Sequence, residues 1–415
     1  MFLESLKLQN FRCFENIDIR FPNRVTALTG DNGAGKSAVL ESCAIAAGSF
    51  TANLNKKAKC EIKHSDIPVK FNKSIPFPTR IQVSGTLENR QIIWAKELSS
   101  STGRNRITGY FDFDDVINGY RSRAESGDNY LILPVVAYYG VERFSTKNNK
   151  NTVLSDLKRT DGYNDCFSGD DKLLKQCIQF FDFESIYIDR GEWDTAFKTA
   201  KRAVEYFVSM ITGLQEISLG YRSDIDEYGF SYNNGFMSLS MMSTGYKTII
   251  SMVADTAFRM ALLNPRLGNL VLIKTPGIVI IDEIDLHLHP KYQRIIIDKL
   301  KDLFPEVQFV LSTSSPLIIN TVKNSSVLIL KDNTILQTDN QTYGRDSETI
   351  LREVFGISSR PDYINKMFKE FYDKLDKRDF HGAEEVIEAL ERLIGDNDPQ
   401  LSDIRMSLEL ERIWG

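Results

Sequence analysis

Residues 30 to 37 read Gly30-Asp31-Asn32-Gly33-Ala34-Gly35-Lys36-Ser37. The run before them, Val25-Thr26-Ala27-Leu28-Thr29, reads as a short buried strand, and the run after them, Ala38 to Ala46, reads as a helix. Strand, glycine-rich loop and helix in that order make a phosphate cradle of the G-x-x-x-x-G-K-S type, where an ordinary glycine-rich turn would lack one flank or the other. The glycines let backbone N–H groups wrap an anion, and the helix start adds its dipole. The residues expected along a bound nucleoside triphosphate are Gly30, Asn32, Gly33, Ala34, Gly35, Lys36, Ser37 and Ala38. Lys36 would reach the β- and γ-phosphates, and the Ser37 hydroxyl would ligate Mg²⁺. ATP and Mg²⁺ are therefore the expected ligands.

Outward from this loop the chain is ordinary. Of 415 residues, 42% are hydrophobic and 26% charged, which fits a folded globular protein, and the length allows two or three domains. The net charge of −5 announces no global basic field for nucleic acid, although a local patch stays open. The five cysteines include no C-x-x-C pair, which favours reduced thiols. The N-terminus lacks a signal-peptide pattern, and no run approaches the ~18 apolar residues of a membrane span. A cytoplasmic protein with no membrane contact is the expectation.

Leu3, Leu6 and Leu8, then Ile17, Ile19 and Phe21, alternate as a hairpin that feeds the loop, with the turn at Asn10 to Phe14. From about 50 to 130 the pattern reads as short strands and polar turns, with an antiparallel lobe at Ile81–Gly85 and Gln91–Ala95. A buried strand returns at Leu133–Gly140. Residues 145 to 215 read as mostly helical, with apolar helical spacing from Ala196 to Thr212. A helix after Gly245 and strands at Ile278–Ile281, Phe309–Ser312 and Ser326–Leu330 follow. The expected division is an N-terminal ATPase half over 1–145, a mainly helical insertion over 146–230, a C-terminal ATPase half over 231–340, and a helical tail over 341–415.

The second chemical signal is Gly277-Ile278-Val279-Ile280-Ile281-Asp282-Glu283. A strand apolar on both faces ends in two carboxylates, and ligands of α/β sheets bind at that end. Asp282 is placed to hold Mg²⁺ and Glu283 to polarise the attacking water. Next comes His287-Leu288-His289-Pro290. A zinc site there would need further ligands at suitable spacing, and none is present. The third signal, Ser240 to Lys247, runs a small-residue turn into a helix; alone it reads as an N-cap, and it gains meaning from its place between the phosphate loop and the carboxylate strand.

Together these motifs resemble the ATP-binding-cassette-type ATPases of the SMC/RecF/OLD group. Leu6 to Phe14 is similar to that group's L-x-x-F-R-x-F entry, which adds Arg12 to the ATP-contacting set. Ser243-Thr244-Gly245 resembles its signature loop, Asp282-Glu283 with His287 to Pro290 its D-E-x-x-x-H-L-H-P, and Ser312 to Pro316 its S-T-H-S-P switch. The resemblance implies an α/β fold: an ABC-type P-loop ATPase head with an antiparallel β lobe, a short helical insertion and a helical C-terminal tail. It also implies a head-to-tail homodimer or higher homo-oligomer, in which Ser243, Thr244 and Gly245 of one subunit meet the γ-phosphate bound by the other. One position departs from the pattern: the switch histidine is Ser314, which carries no positive charge, so slow hydrolysis is expected. The glutamine of the loop after the lobe has no clear counterpart near Tyr138 to Arg143.

Tyr139-Gly140 with Arg143, Asp161-Gly162-Tyr163, and the stretch from Tyr343 to Pro361 narrow the resemblance to the stand-alone ATPases of bacterial anti-phage systems, the Septu, PARIS and retron-associated kinds. Those pair with a separate nuclease, of HNH or TOPRIM type, and the tail here shows no carboxylate pattern of a fused one. The alternative is a RecF-like DNA repair ATPase that clamps DNA directly. Lys56-Lys57-Lys59 and Arg104-Arg106 are its candidate contacts, although short basic runs are commonly solvated loops. The tail from Asp362 carries Ile364, Met367, Phe368, Phe371 and Leu375 at helical spacing. It is expected to form at least two helices, with a break near Gly395 to Pro399, packed either on the ATPase core or against a partner.

Overall fold

The computed structural model describes residues 1–69, 75–110, 113–141, 158–167, 192–233, 235–337 and 341–414. Contacts divide the chain into two compact units, Met1–Arg345 and Asp346–Gly415.

The centre of the first unit is a six-stranded sheet. Its strands are β3 (Val25–Gly30), β7 (Val135–Tyr139), β11 (Gly277–Ile281), β12 (Val307–Ser312), β13 (Val327–Lys331) and β14 (Thr334–Gln337), in the order β14-β13-β3-β12-β11-β7. The ladder from β13 to β7 is parallel and only β14 runs antiparallel. Every residue of β11 and β12 is buried. Unbroken β-branched and apolar runs such as Ile278-Val279-Ile280-Ile281 suit strands covered on both faces.

A second sheet has the order β2-β1-β4-β5-β6, with β1 (Phe2–Phe11), β2 (Phe14–Arg20), β4 (Thr79–Leu87), β5 (Arg90–Leu98) and β6 (Arg106–Tyr110), all antiparallel. Here β4 alternates buried and half-buried, the pattern of a sheet with one face on the core. This is the expected lobe. Helix α1 (Lys36–Leu54) is buried around its whole circumference from Ala38 to Thr51, apart from Glu41, and packs against strands of both sheets. That is why its sequence is apolar on every side rather than on one stripe. Trp94 of β5 closes the joint, its Nε1–H donating to Ala46 O at 3.1 Å.

Between residues 50 and 130 the structure holds more helix than expected. α1 runs on to Leu54, and α2 (Phe113–Glu125) buries Phe113, Val116, Ile117 and Tyr120 behind the acidic first turn Asp114-Asp115. That spacing is helical, with charge matched to the dipole. In the stretch 146–230, read as mainly helical, the described residues hold α3 (Glu192–Thr212) and also β8 (Ser218–Arg222) and most of β9 (Glu227–Tyr232). With β10 (Gly235–Ser238) these strands form a three-stranded antiparallel sheet. Residues 146–157 and 168–191, also read as part of the insertion, lie outside the described residues. α4 (Thr244–Leu263) packs along α3, and α5 (Ile296–Leu303) precedes β12.

The second unit contains α6 (Ser347–Glu353), α7 (Asp362–Asp376), α8 (Phe380–Ile394) and α9 (Pro399–Trp414). The break after Ile394 falls where the sequence placed it, and a second one at Lys377–Asp379 separates α7 from α8. The apolar stripe of α7 is buried within the second unit. Ile364, Met367, Phe368 and Phe371 form one cluster with Val386 and Leu390 of α8 and with Leu401, Ile404 and Leu408 of α9. The tail spends its stripe on a core of its own. Arg360–Asp398, Arg405–Glu391 and Arg412–Glu384 ion pairs rim it. Among the described residues no helix is long and apolar enough to cross a membrane, and Cys13, Cys43, Cys60 and Cys166 are free thiols, while Cys177 falls outside them.

Candidate functional site

Three loops leave the same edge of the parallel sheet. β3 and β12 are paired with Leu28 opposite Ser312, and β12 and β11 with Leu311 opposite Ile281. The phosphate loop, the Ser312–Ser315 turn and the Asp282–Glu283 pair therefore emerge side by side at the carboxyl ends of adjacent strands, the ligand edge of an α/β sheet.

The loop is shaped for a phosphate chain. Gly35 caps α1 with a left-handed backbone, φ 95°, and no side-chain cap bond. A Cβ there would overlap the Phe14 ring and the Cys13 sulfur, so only glycine fits between the β1–β2 hairpin and the helix start. The first-turn N–H groups of a 19-residue helix thus face the loop without a capping side chain. Lys36 is 8% exposed, and its ammonium donates to Gly30 O at 2.7 Å and Asp31 O at 3.0 Å. An uncapped helix start, an ammonium and, two strands away, the carboxylate pair after β11 form a set of groups that fits a triphosphate with its Mg²⁺.

Asp282 is buried, and its Oδ1 accepts from Ser312 Oγ at 2.5 Å. Its own N–H donates to Tyr139 O at 2.8 Å. Glu283 takes a left-handed backbone, φ 49°, and its N–H donates to the same Ser312 Oγ at 2.7 Å. One buried hydroxyl therefore fixes both carboxylate residues, one by side chain and one by backbone. The sequence reading gave the switch role to Ser314 and missed Ser312; the signal was a serine ending a fully buried strand. Thr313 and Ser315, both buried, donate to Asp285 Oδ1 and Gln293 Oε1, each at 2.6 Å. Between them Ser314 is exposed.

Arg12 sits in the β1–β2 turn. Its Nε donates to Asp66 Oδ1 at 2.9 Å, its Nη1 to Glu41 Oε1 at 3.0 Å, and its Nη2 to Glu41 Oε2. Burial works against its charge, but Glu41 and Asp66 outweigh it and raise the guanidinium pKa. Sequence reasoning put this side chain on ATP; here it braces the hairpin against α1.

Ser243, Thr244 and Gly245 belong to another element, the start of α4, where Ser243 Oγ accepts from Tyr246 N–H at 3.5 Å. Gly245 lies against the carbonyl of His287 so closely that any Cβ would collide with it. Deeper in α4, Arg259 Nε donates to Asp255 Oδ2 at 2.8 Å, and the Tyr139 hydroxyl donates to the same oxygen at 2.7 Å. All three are buried. This network ties α4 to the end of β7, whose Tyr139 carbonyl receives Asp282 N–H. Tyr138 to Val141, near which the missing glutamine was sought, is described; Glu142 and Arg143 are not.

A family model described as an AAA domain matches residues 5–202, and one described as "AAA domain, putative AbiEii toxin, Type IV TA system" matches residues 257–320. The chain is 28% identical over 383 residues to the retron Vc95 probable ATPase of Vibrio cholerae serotype O1 biovar El Tor, covering 80% of this chain and 73% of that one. To the retron Ec83 probable ATPase of Escherichia coli it is 26% identical over 496 residues, covering 99% and 87%. To the Septu protein PtuA of Bacillus thuringiensis it is 23% identical over 409 residues, covering 94% and 93%. Over most of its length the chain is thus similar to retron probable ATPases and to Septu PtuA proteins. An SMC head bound to the C-winged helix domain of ScpA superposes with a TM-score of 0.48 at 14% identity, covering 82% of this chain and 98% of that one.

Proposed function

We propose that this ATPase binds and slowly hydrolyses ATP as the switching component of an anti-phage defence system, and that its nucleotide state controls a separate effector nuclease. The observation that carries the reading is the convergence of phosphate loop, Ser312 turn and Asp282–Glu283 at one sheet edge. Bound there, ATP supplies the scissile phosphoanhydride and Mg²⁺ the charge that offsets it. For Lys36 to reach the phosphates, its ammonium gives up the Gly30 and Asp31 carbonyls. Ser37 and Asp282 hold the metal, directly or through water. Glu283, its backbone pinned by Ser312, orients the attacking water and accepts its proton. Ser314 offers a hydroxyl where a cation would serve, which supports slow turnover. Arg12 contacts ATP only if it leaves Glu41 and Asp66.

The signature turn on α4 completes the site from a second subunit, so ATP drives a head-to-tail homodimer as a population shift. Slow hydrolysis then times the closed state, and the nuclease reads it. Retron probable ATPases and Septu PtuA proteins among the relatives support the defence reading. The test is to purify the Glu283→Gln variant with and without ATP, alongside the products of the adjacent genes. ATP-dependent dimers that retain a nuclease are expected. Dimers that bind duplex DNA and no protein partner would favour a RecF-like clamp instead.

A further inference from the structure

The last helix of the second unit has a face that its own core does not use. α9 buries Leu401, Ile404 and Leu408 in the cluster it shares with α7 and α8. On the opposite side Met406, Leu410 and Ile413 are 63%, 49% and 75% exposed. Steps of four and three residues line them up along one side of the helix. The outermost helix of a finished bundle has polar residues there. α9 is apolar on two opposite sides, as a helix is when it packs between two partners. Exposed apolar residues that fall singly are ordinary, whereas a helical row of three marks a surface with a use.

The charge around this row is one-sided. Residues 380–415, which include α8 and α9, hold nine carboxylate side chains against three arginines and no lysine. All three arginines are already paired within the unit, Arg392 with Glu388, Arg405 with Glu391 and Arg412 with Glu384. Asp403 lies one turn before Met406, and Glu409 borders both Met406 and Ile413. Both carboxylates are exposed and have no ion-pair partner among the described residues. A nucleic acid or an anionic membrane would meet like charge here. So would a second copy, because pairing centred on Leu410 sets the two Glu409 carboxylates at one level whichever way the helices run. A basic amphipathic helix satisfies both features: its apolar stripe covers the row, and its flanking lysines or arginines meet Asp403 and Glu409. We propose that the outer face of α9 is the docking site for a basic amphipathic helix of a protein partner. Such docking needs nothing from the ATP site.

The test uses the full chain without nucleotide and a fluorescently labelled peptide of about 18 leucines and lysines, with leucine at helical spacing on one face. Anisotropy should rise to saturation, and the affinity should weaken as salt is raised from about 0.05 to 0.5 M. Two variants separate the contributions. Met406→Gln/Leu410→Gln/Ile413→Gln keeps charge and helix propensity and should weaken binding by about tenfold or more. Asp403→Asn/Glu409→Gln keeps the apolar row and should weaken binding roughly threefold or more at low salt. Circular dichroism and ATP titration should match the parent for both, because all five side chains are exposed. An affinity that the first variant leaves within about twofold of the parent would overturn the proposal. Equally tight binding of a peptide with glutamate in place of each lysine would do the same. A parent that sediments as a dimer without nucleotide, and as a monomer in the first variant, would give the face to a second copy instead.

Discussion

The proposed function gives each side chain of the candidate site a separable job. Lys36→Ala should abolish ATP binding, measured by titrating a fluorescent ATP analogue, because the ammonium is the main positive charge of the loop. Glu283→Gln keeps the shape and loses the base; its turnover should fall by ~10²-fold or more while ATP stays bound. Ser312→Ala is the prediction that the structure adds. It removes the hydroxyl that donates to Asp282 Oδ1 and accepts from Glu283 N–H, and a hydrogen bond to a charged group contributes about 1.5–3 kcal/mol. Steady-state phosphate release should drop with little change in ATP affinity, and an unchanged rate would show that the carboxylates hold themselves. Ser314→His should raise the rate if the missing cation limits it. At this scale the motifs were legible because Gly35, Lys36 and Asp282 answer to chemistry that permits few substitutes. Ser312 and the Arg12 braces were not, since a hydroxyl or a guanidinium becomes informative only once its partners from distant strands are known.

Elements were legible where burial is uniform or strictly periodic. β3, β11 and β12 announce themselves because a strand covered on both faces must be apolar throughout. β8 to β10 did not, because their exposed, tyrosine- and glycine-bearing residues carry a weaker alternation. α2 was passed over although Phe113, Val116, Ile117 and Tyr120 repeat at helical spacing. The element with the most at stake is α4, which carries the signature turn at its start and the Asp255–Arg259 pair in its middle. Asp255→Ala leaves a buried guanidinium whose remaining hydrogen bonds, among the described residues, go to the neutral backbone oxygens of Gly162 and Asn164. Loss of one partner of a buried pair costs ~3–5 kcal/mol. A large drop in the denaturation midpoint is expected, and an unshifted midpoint would mean that water enters to solvate Arg259.

At the scale of the whole molecule, the division at Arg345–Asp346 separates two cores. Deleting residues 346–415 should leave ATP binding measurable, because none of the phosphate loop, the carboxylates or the Ser312 turn lies there. Within the tail, Phe371 is fully buried among the three helices, and Phe371→Ala costs ~3–5 kcal/mol, more than a unit of this size commonly has in reserve. That variant should lose tail helicity by circular dichroism while still binding ATP. If nucleotide binding disappears with it, the two units do not fold independently. The tail's amphipathic stripe was plain in the sequence; which surface it covers was not, since α7 alone gives no sign that α8 and α9 supply its partner. The strand order carries one more consequence, for the history of each newly made chain. β3 and β7 are synthesised early but do not touch: β11 and β12, made more than 130 residues after β7, lie between them. The phosphate loop therefore has no sheet to stand on until the late strands insert. A nascent chain ending before Gly277 should bind no ATP, and folding should be slow, as expected where pairing joins such distant segments.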